Sequence, residues 1–134
     1  MNLVIVGVGS NINPGENVQK AKELISEKYT IIKSSRFIKT KPIGCKDQDD
    51  FLNGGWLIET SLEQGLFKQF LNDIENKLGR IRTDNNDRPR TIDLDVVIWN
   101  GNVVDNDYYE RDFLQIIVKE LDSNIAKSAV NSKY

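Results

Sequence analysis

The chain has 134 residues, a net charge of −2, 39% hydrophobic and 28% charged residues, enough for one domain with a core of ordinary size. The acidic balance argues against a general nucleic-acid binder, which presents a basic surface, and no apolar run is long enough to span a bilayer. There is no histidine, which removes Ser-His-Asp and Cys-His catalysis and histidine zinc sites, so any metal would sit on oxygen ligands, with Mg²⁺ the first candidate.

The N-terminal run MNLVIVGVGSN has no basic leader and no cleavage signal, so it reads as a strand over 3–9 and not as a signal peptide. Gly7-Val8-Gly9-Ser10-Asn11 looks superficially like a phosphate loop but lacks the lysine and the spacing of one. Asn13-Pro14-Gly15-Glu16 is a helix start: Asn13 can cap, Pro14 suits the first turn and Glu16 would complete a capping box. Val18, Ala21, Leu24 and Ile25 then predict a helix over about 14–28. Residues 29–39 read as one strand. Residues 40–50, with Pro42, Gly44 and several charges, read as a loop. That loop holds Cys45, the only cysteine, so no internal disulfide can form and a reducing cytoplasm is expected.

Residues 51–59 predict a third strand, in which Gly54-Gly55 marks a bulge or a close backbone approach. Thr60-Ser61-Leu62-Glu63 has the form of a capping box. Phe67, Phe70, Leu71, Ile74 and Leu78 keep helical spacing, predicting a helix over about 62–78 that ends at Gly79. Thr91 to Trp99 reads as a fourth strand and Asn100-Gly101 as a turn. A last helix is predicted over 107–121 from Phe113, Ile116, Ile117 and Leu121, and the tail beyond it is weakly patterned. The order βαββαβ plus a helix predicts an α+β, ferredoxin-like fold. Two helices would cover one face of a mainly antiparallel four-stranded sheet.

Chemistry gathers between Gly79 and Asp95, GRIRTDNNDRPRTIDLD. This stretch holds four of the six arginines, Arg80, Arg82, Arg88 and Arg90, followed by Asp93 and Asp95. Residues i and i+2 of a strand share a face about 7 Å apart, so the two carboxylates can hold one or two Mg²⁺ ions. Ile92, Leu94, Val96 and Ile98 would take the opposite, core face, while Val97 and Trp99 continue the aspartate face. The plain alternative is the solvent face of an amphipathic strand, but Asp is disfavoured in strands. Guanidinium forks match phosphate oxygens bidentately, and a loop of arginines can close over a triphosphate. The alternative there is a solvated charged turn. Asn72 and Glu75 share a helix face near the end that feeds the loop and can meet a base or a ribose, although spacing alone allows a surface pair equally. Phe51 and Asn53 share a strand face, an aromatic plate beside an amide. With backbone groups at Ile43 they can hold a flat hydrogen-bonding heterocycle, though by themselves a core Phe and a turn Asn is the simpler reading.

Together these motifs resemble the 6-hydroxymethyl-7,8-dihydropterin pyrophosphokinase family of folate biosynthesis. The resemblance runs from Gly9-Ser10-Asn11 through Thr40-Lys41-Pro42-Ile43-Gly44 and Gln48-Asp49-Asp50-Phe51-Leu52-Asn53. It continues to Glu75-Asn76-Lys77-Leu78-Gly79-Arg80-Ile81-Arg82 and Arg88-Pro89-Arg90-Thr91-Ile92-Asp93-Leu94-Asp95, and covers roughly residues 3–100. It implies Mg²⁺-dependent transfer of the pyrophosphoryl group of ATP to the pterin hydroxymethyl oxygen, giving AMP. Carried over by position, Asp93 and Asp95 would hold two Mg²⁺ ions. Arg80, Arg82 and Arg90 would be catalytic and contact ATP, with Asn72, Glu75, Val96 and Arg111 also at the ATP site. Thr40, Lys41, Ile43, Phe51, Asn53 and Phe113 would line the pterin pocket, the two phenylalanines stacking on its faces.

The chain also departs from the family pattern. It lacks the Pro-His pair that usually precedes the family's R-x-F element, whose histidine contacts ATP, and the segment from Trp99 to Arg111 is short. Asn72 stands for a usual glutamine, Asp87 for the tryptophan of some members, and Lys41 for a proline. The resemblance thus implies a member shortened at its C-terminus, with residues 1–121 as one pyrophosphokinase-like domain, 122–134 as a tail, and small molecules as its partners. A monomer is the simplest expectation. Three other readings are a nucleotidyl transferase, which the pterin motif disfavours, a non-catalytic or weakly active pterin or nucleotide binder, and an RRM-like RNA binder. The last lacks the aromatic patterning that RNA stacking needs.

Overall fold

The computed structural model of the chain describes residues 1–41, 50–79 and 91–122. The N-terminal β-branched run forms β1 (Asn2–Ser10), and the amphipathic stretch after Pro14 forms α1 (Pro14–Ser26). The expected second strand is two pieces, β2 (Thr30–Ser34) and β3 (Ile38–Thr40). Between them Ser35 is buried, and its Oγ accepts the Gly55 N–H at 2.9 Å in place of a ladder bond. Then follow β4 (Phe51–Thr60), α2 (Gln64–Lys77), β5 (Asp93–Trp99), β6 (Asn102–Val103), α3 (Asp107–Glu110) and α4 (Asp112–Leu121).

The sheet runs β2-β4-β1-β5-β6, with β3 also paired to β4, and every pairing is antiparallel. α1 joins β1 to β2 across the inserted β4, and α2 joins β4 to β5 across β1. This is the split βαβ arrangement expected from the element order, extended by two short strands. Asn100 and Gly101 both take positive φ, 48° and 82°, which suits the two-residue turn of the β5–β6 hairpin.

Each face of the sheet has its own core. On one face α1 and α2 bury Ala21, Ile25, Phe67, Leu71 and Ile74 against Val4, Val6, Val8, Trp56, Ile58, Leu94 and Val96. On the other, α4 packs Leu114, Ile117, Val118 and Leu121 on Ile5, Val97 and Ile98. Burying each large side chain contributes about 1.5–3 kcal/mol, so both layers matter to stability. The α4 stripe is one helical position away from the expected one. Ile116 is 52% exposed, while Leu114 and Val118 are buried, because the 114, 117, 118, 121 stripe is the one that meets the sheet.

The face assignment along β5 also changes. The β1–β5 register passes from Val6↔Val96 to Ile5↔Ile98, so Val97 is an extra residue, a bulge that resets the alternation. Leu94 and Val96 stay in the α1/α2 core as expected, and Val97 follows the aspartate face. Ile98 joins Val97 against α4 and Trp99 returns to the first core, the reverse of the expectation for both. Gly54-Gly55 is a close approach and leaves the β1–β4 register unbroken. A β-carbon on Gly54 would lie 2.5 Å from the Phe37 ring, and one on Gly55 would lie 2.6 Å from Ile117.

Neither capping box forms. Asn13 is left-handed (φ 41°) and makes no side-chain cap. Glu16 instead pairs with Lys20 at 2.9 Å, one turn on, and the ammonium holds its carboxyl below the usual range. At α2 the residue before the helix is Glu63, and the Thr60 hydroxyl accepts the Leu62 N–H before the helix begins. Gly79 follows the helix with φ 85°, as its position predicts.

Candidate functional site

Across the middle of the sheet, Gly9 of β1 stands opposite both Asn53 of β4 and Asp93 of β5. One step along, Gly7 stands opposite Gly55 and Asp95. Residues directly opposite in antiparallel strands share a face, and alternation adds Phe51 to it. This face is the one α4 covers: a β-carbon on Gly7 would meet Val97 and Leu114, and one on Gly55 would meet Ile117 and Leu121. The helix covers the Gly7–Gly55 end of the face. Asp95 is exposed and Asp93 half-buried.

Asn53 is 9% exposed, and its Nδ2 donates to Thr40 Oγ1 across the β3–β4 ladder. Thr40 stands opposite Phe51, which is half-buried. The structure therefore brings Thr40, Phe51, Asn53, Asp93 and Asp95 onto one face of four strands. Phe113 is on the same side, half-buried in the first turn of α4 against its core. Lys41, just past β3, is exposed.

The remaining residues lie around this face. The Val96 side chain points away, into the α1/α2 core, so only its backbone is at hand. Among the described residues β6 pairs with the outer edge of β5 only at Ile98 and Trp99. Glu75 meets that edge: it is buried on α2 and its Oε2 accepts the Leu94 N–H at 2.8 Å. A charge-assisted bond of this kind offsets part of the cost of burying a carboxylate. Asn72, one turn earlier, is half-buried. Arg111 leads into α4, with its Nε 3.7 Å from Asp107 Oδ2 and the two side chains 36% and 50% exposed. So long and exposed a pair is easily exchanged for another anion. Arg80, Arg82, Arg88, Arg90, Ile43 and Cys45 lie outside the described residues, as does the tail from 123.

One feature was not anticipated from sequence. Ser10 is fully buried and its hydroxyl donates to the Thr91 carbonyl at 2.6 Å, tying the approach to β5 to the end of β1. The apparent phosphate loop at Gly7–Asn11 lies largely within a nine-residue central strand. Its glycines serve the sheet surface and form no anion-binding turn.

Asp93 and Asp95 are the residues that could hold a cation. No third acidic or cysteine side chain is gathered with them among the described residues. Two carboxylates with coordination positions left over fit Mg²⁺, which keeps waters and takes phosphate oxygens from its substrate.

The architecture and the face together define a small antiparallel α+β domain with a buried amide and a carboxylate pair on one sheet surface. The chain belongs to the 7,8-dihydro-6-hydroxymethylpterin-pyrophosphokinase (HPPK) family, whose model matches residues 5–123. Among curated relatives, it is 31% identical to the 2-amino-4-hydroxy-6-hydroxymethyldihydropteridine pyrophosphokinase of Haemophilus influenzae, over 90% of this chain and 81% of that protein. It is also 31% identical to the Bacillus subtilis protein of the same name, over 98% of this chain and 85% of the relative. The folic acid synthesis protein FOL1 of Dictyostelium discoideum is 29% identical over 92% of this chain, which matches 20% of that longer protein. No helix among the described residues is long and apolar enough to cross a membrane.

Proposed function

We propose that this protein transfers the pyrophosphoryl group of ATP to the hydroxymethyl oxygen of 6-hydroxymethyl-7,8-dihydropterin, releasing AMP, in the cytoplasm and as part of folate biosynthesis. The observation that supports the proposal is the row Asn53–Gly9–Asp93, in which a buried amide and a carboxylate share one sheet surface, in a chain of this family.

In this reading Asn53 and Thr40 hydrogen-bond the heterocycle. Phe51 and Phe113 close on its faces, and Lys41 and Ile43 border it. Asp93 and Asp95 are the ligands for two Mg²⁺ ions. When bound, these ions neutralise phosphate charge and fix the geometry of the transferred group. Arg80, Arg82, Arg90 and Arg111 supply guanidinium contacts to the phosphates. Asn72 and the backbone edge of β5 at Val96 take the nucleoside end. Glu75 supports that edge from behind through Leu94.

The acceptor oxygen attacks the β-phosphorus of ATP in line. A new O–Pβ bond forms, the bond from Pβ to the α,β-bridging oxygen breaks, AMP departs with that oxygen, and the hydroxyl proton is lost to solvent. The residues position the reactants and stabilise charge, and no strong side-chain base is required.

The test is product analysis. ATP should be converted to AMP only when Mg²⁺ and the hydroxymethyl pterin are both present, and ADP, free pyrophosphate or no turnover would contradict the proposal. The absence of histidine favours a second reading, a pterin- and nucleotide-binding homologue without turnover. That reading expects both ligands to bind with no AMP formed.

A further inference from the structure

We infer that Gly9 is a positioning residue of the acceptor pocket, because the volume its missing side chain leaves open is the volume in which Asn53 orients its amide. The inference rests on the reading of Asn53 as a pterin ligand.

A β-carbon built on Gly9 would lie 2.8 Å from Asn53 Oδ1, closer than carbon and oxygen approach without a bond, and 3.9 Å from Asp93 Cβ. The neighbour that would have to yield is a side-chain end, but it is not free to swing. Asn53 is 9% exposed and its Nδ2 is held by Thr40 Oγ1. Its strand is paired on both sides, with β1 and with β3. Moving Oδ1 off Gly9 therefore turns the amide plane away from Thr40 and away from the direction in which it meets a ligand.

The other glycines on this face behave differently. Gly7 would meet Val97 and Leu114 at 3.3 and 3.4 Å, and Gly55 would meet Ile117 at 2.6 Å. These are core side chains under α4, so glycine there serves helix packing. Gly9 alone of the three borders the polar pair. Because it is also the residue opposite Asp93, it sits between the group that orients the acceptor and the group that binds the donor's metal. The amide is the neighbour a side chain would strike and the carboxylate is not, so the effect should fall on pterin binding and leave nucleotide binding intact.

The experiment measures calorimetric affinity for 6-hydroxymethyl-7,8-dihydropterin, and separately for MgATP, in wild type, Gly9→Ala, Asn53→Ala and the double variant. Displacing one buried hydrogen-bonding group should weaken pterin binding by about ten- to a hundred-fold in Gly9→Ala. MgATP affinity should be unchanged, and the double variant should bind pterin no more weakly than Asn53→Ala alone. Loss in Asn53→Ala with none in Gly9→Ala would overturn the inference and keep the pterin reading. Additive losses, or an equal loss of MgATP affinity, would also overturn the inference. No pterin loss in either single variant would overturn both. Should Gly9→Ala not fold, the double variant, in which the colliding oxygen is gone, is expected to fold, and its failure would count against the collision.

Discussion

Asp95 is the side chain on which function and stability separate most cleanly. It is exposed on β5, opposite a glycine. Asp95→Ala should therefore shift stability by no more than about 0.5 kcal/mol, as surface changes usually do. It should lower kcat/KM by about a hundred- to thousand-fold through the loss of a ligand to the Mg²⁺ that neutralises the phosphates. Thermal melts beside steady-state assays would check both halves. Retained activity would remove Asp95 from the metal site. Asp93 is less clean a probe, because it is half-buried and lies beside Gly9 and Asn53.

At the scale of elements, the contact between α2 and β5 joins the helix to the chemistry. Glu75 reaches from a buried helix position to the backbone of Leu94, the residue between the two aspartates. Glu75→Ala would leave the Leu94 N–H buried without that acceptor, at a cost of about 1–3 kcal/mol. It should also slow turnover by loosening the spacing of Asp93 and Asp95. Glu75→Gln keeps an acceptor and should recover most of both, as denaturant titrations and kcat would show. Glu75 also marks where sequence reading stops. Its place on the helix face was legible from spacing, and its burial was not, since nothing local distinguishes a buried carboxylate from an exposed one. The Phe67–Ile74 stripe was legible because the apolar residues of α2, Leu66 apart, fall on one side. In α4, Phe113, Leu114, Ile116, Ile117 and Val118 offer two apolar stripes, and only contact with the sheet selects between them. The Val97 bulge was hidden for the same reason: Val96, Val97 and Ile98 are apolar in either phase. Asp93, Asp95, Phe51 and Asn53 could be placed on strand faces by alternation. Their convergence on one face needed the register, which no single segment contains.

For the whole molecule, the sheet is a partition between two cores and the candidate site occupies the open end of one of them. α4 is the layer that makes that side a core. Ile117 is 2% exposed and packs over Gly55. Ile117→Ala should cost about 2–5 kcal/mol, measurable as a lower denaturant midpoint, while the residues of the site itself remain in place. β1 sits at the centre of the partition and its two ladders decide which residues share a surface. Strand side chains repeat every two residues, so a slip of one residue along either ladder turns the whole set over. A chain with β5 slipped by one would present Leu94 and Val96 to substrate and bury Asp93 and Asp95 under α1 and α2, yet it would keep all its helices. Turnover regained after refolding is therefore a stricter count of native molecules than regained helical signal, and any gap between the two measures the fraction of chains that collapsed with a ladder out of step.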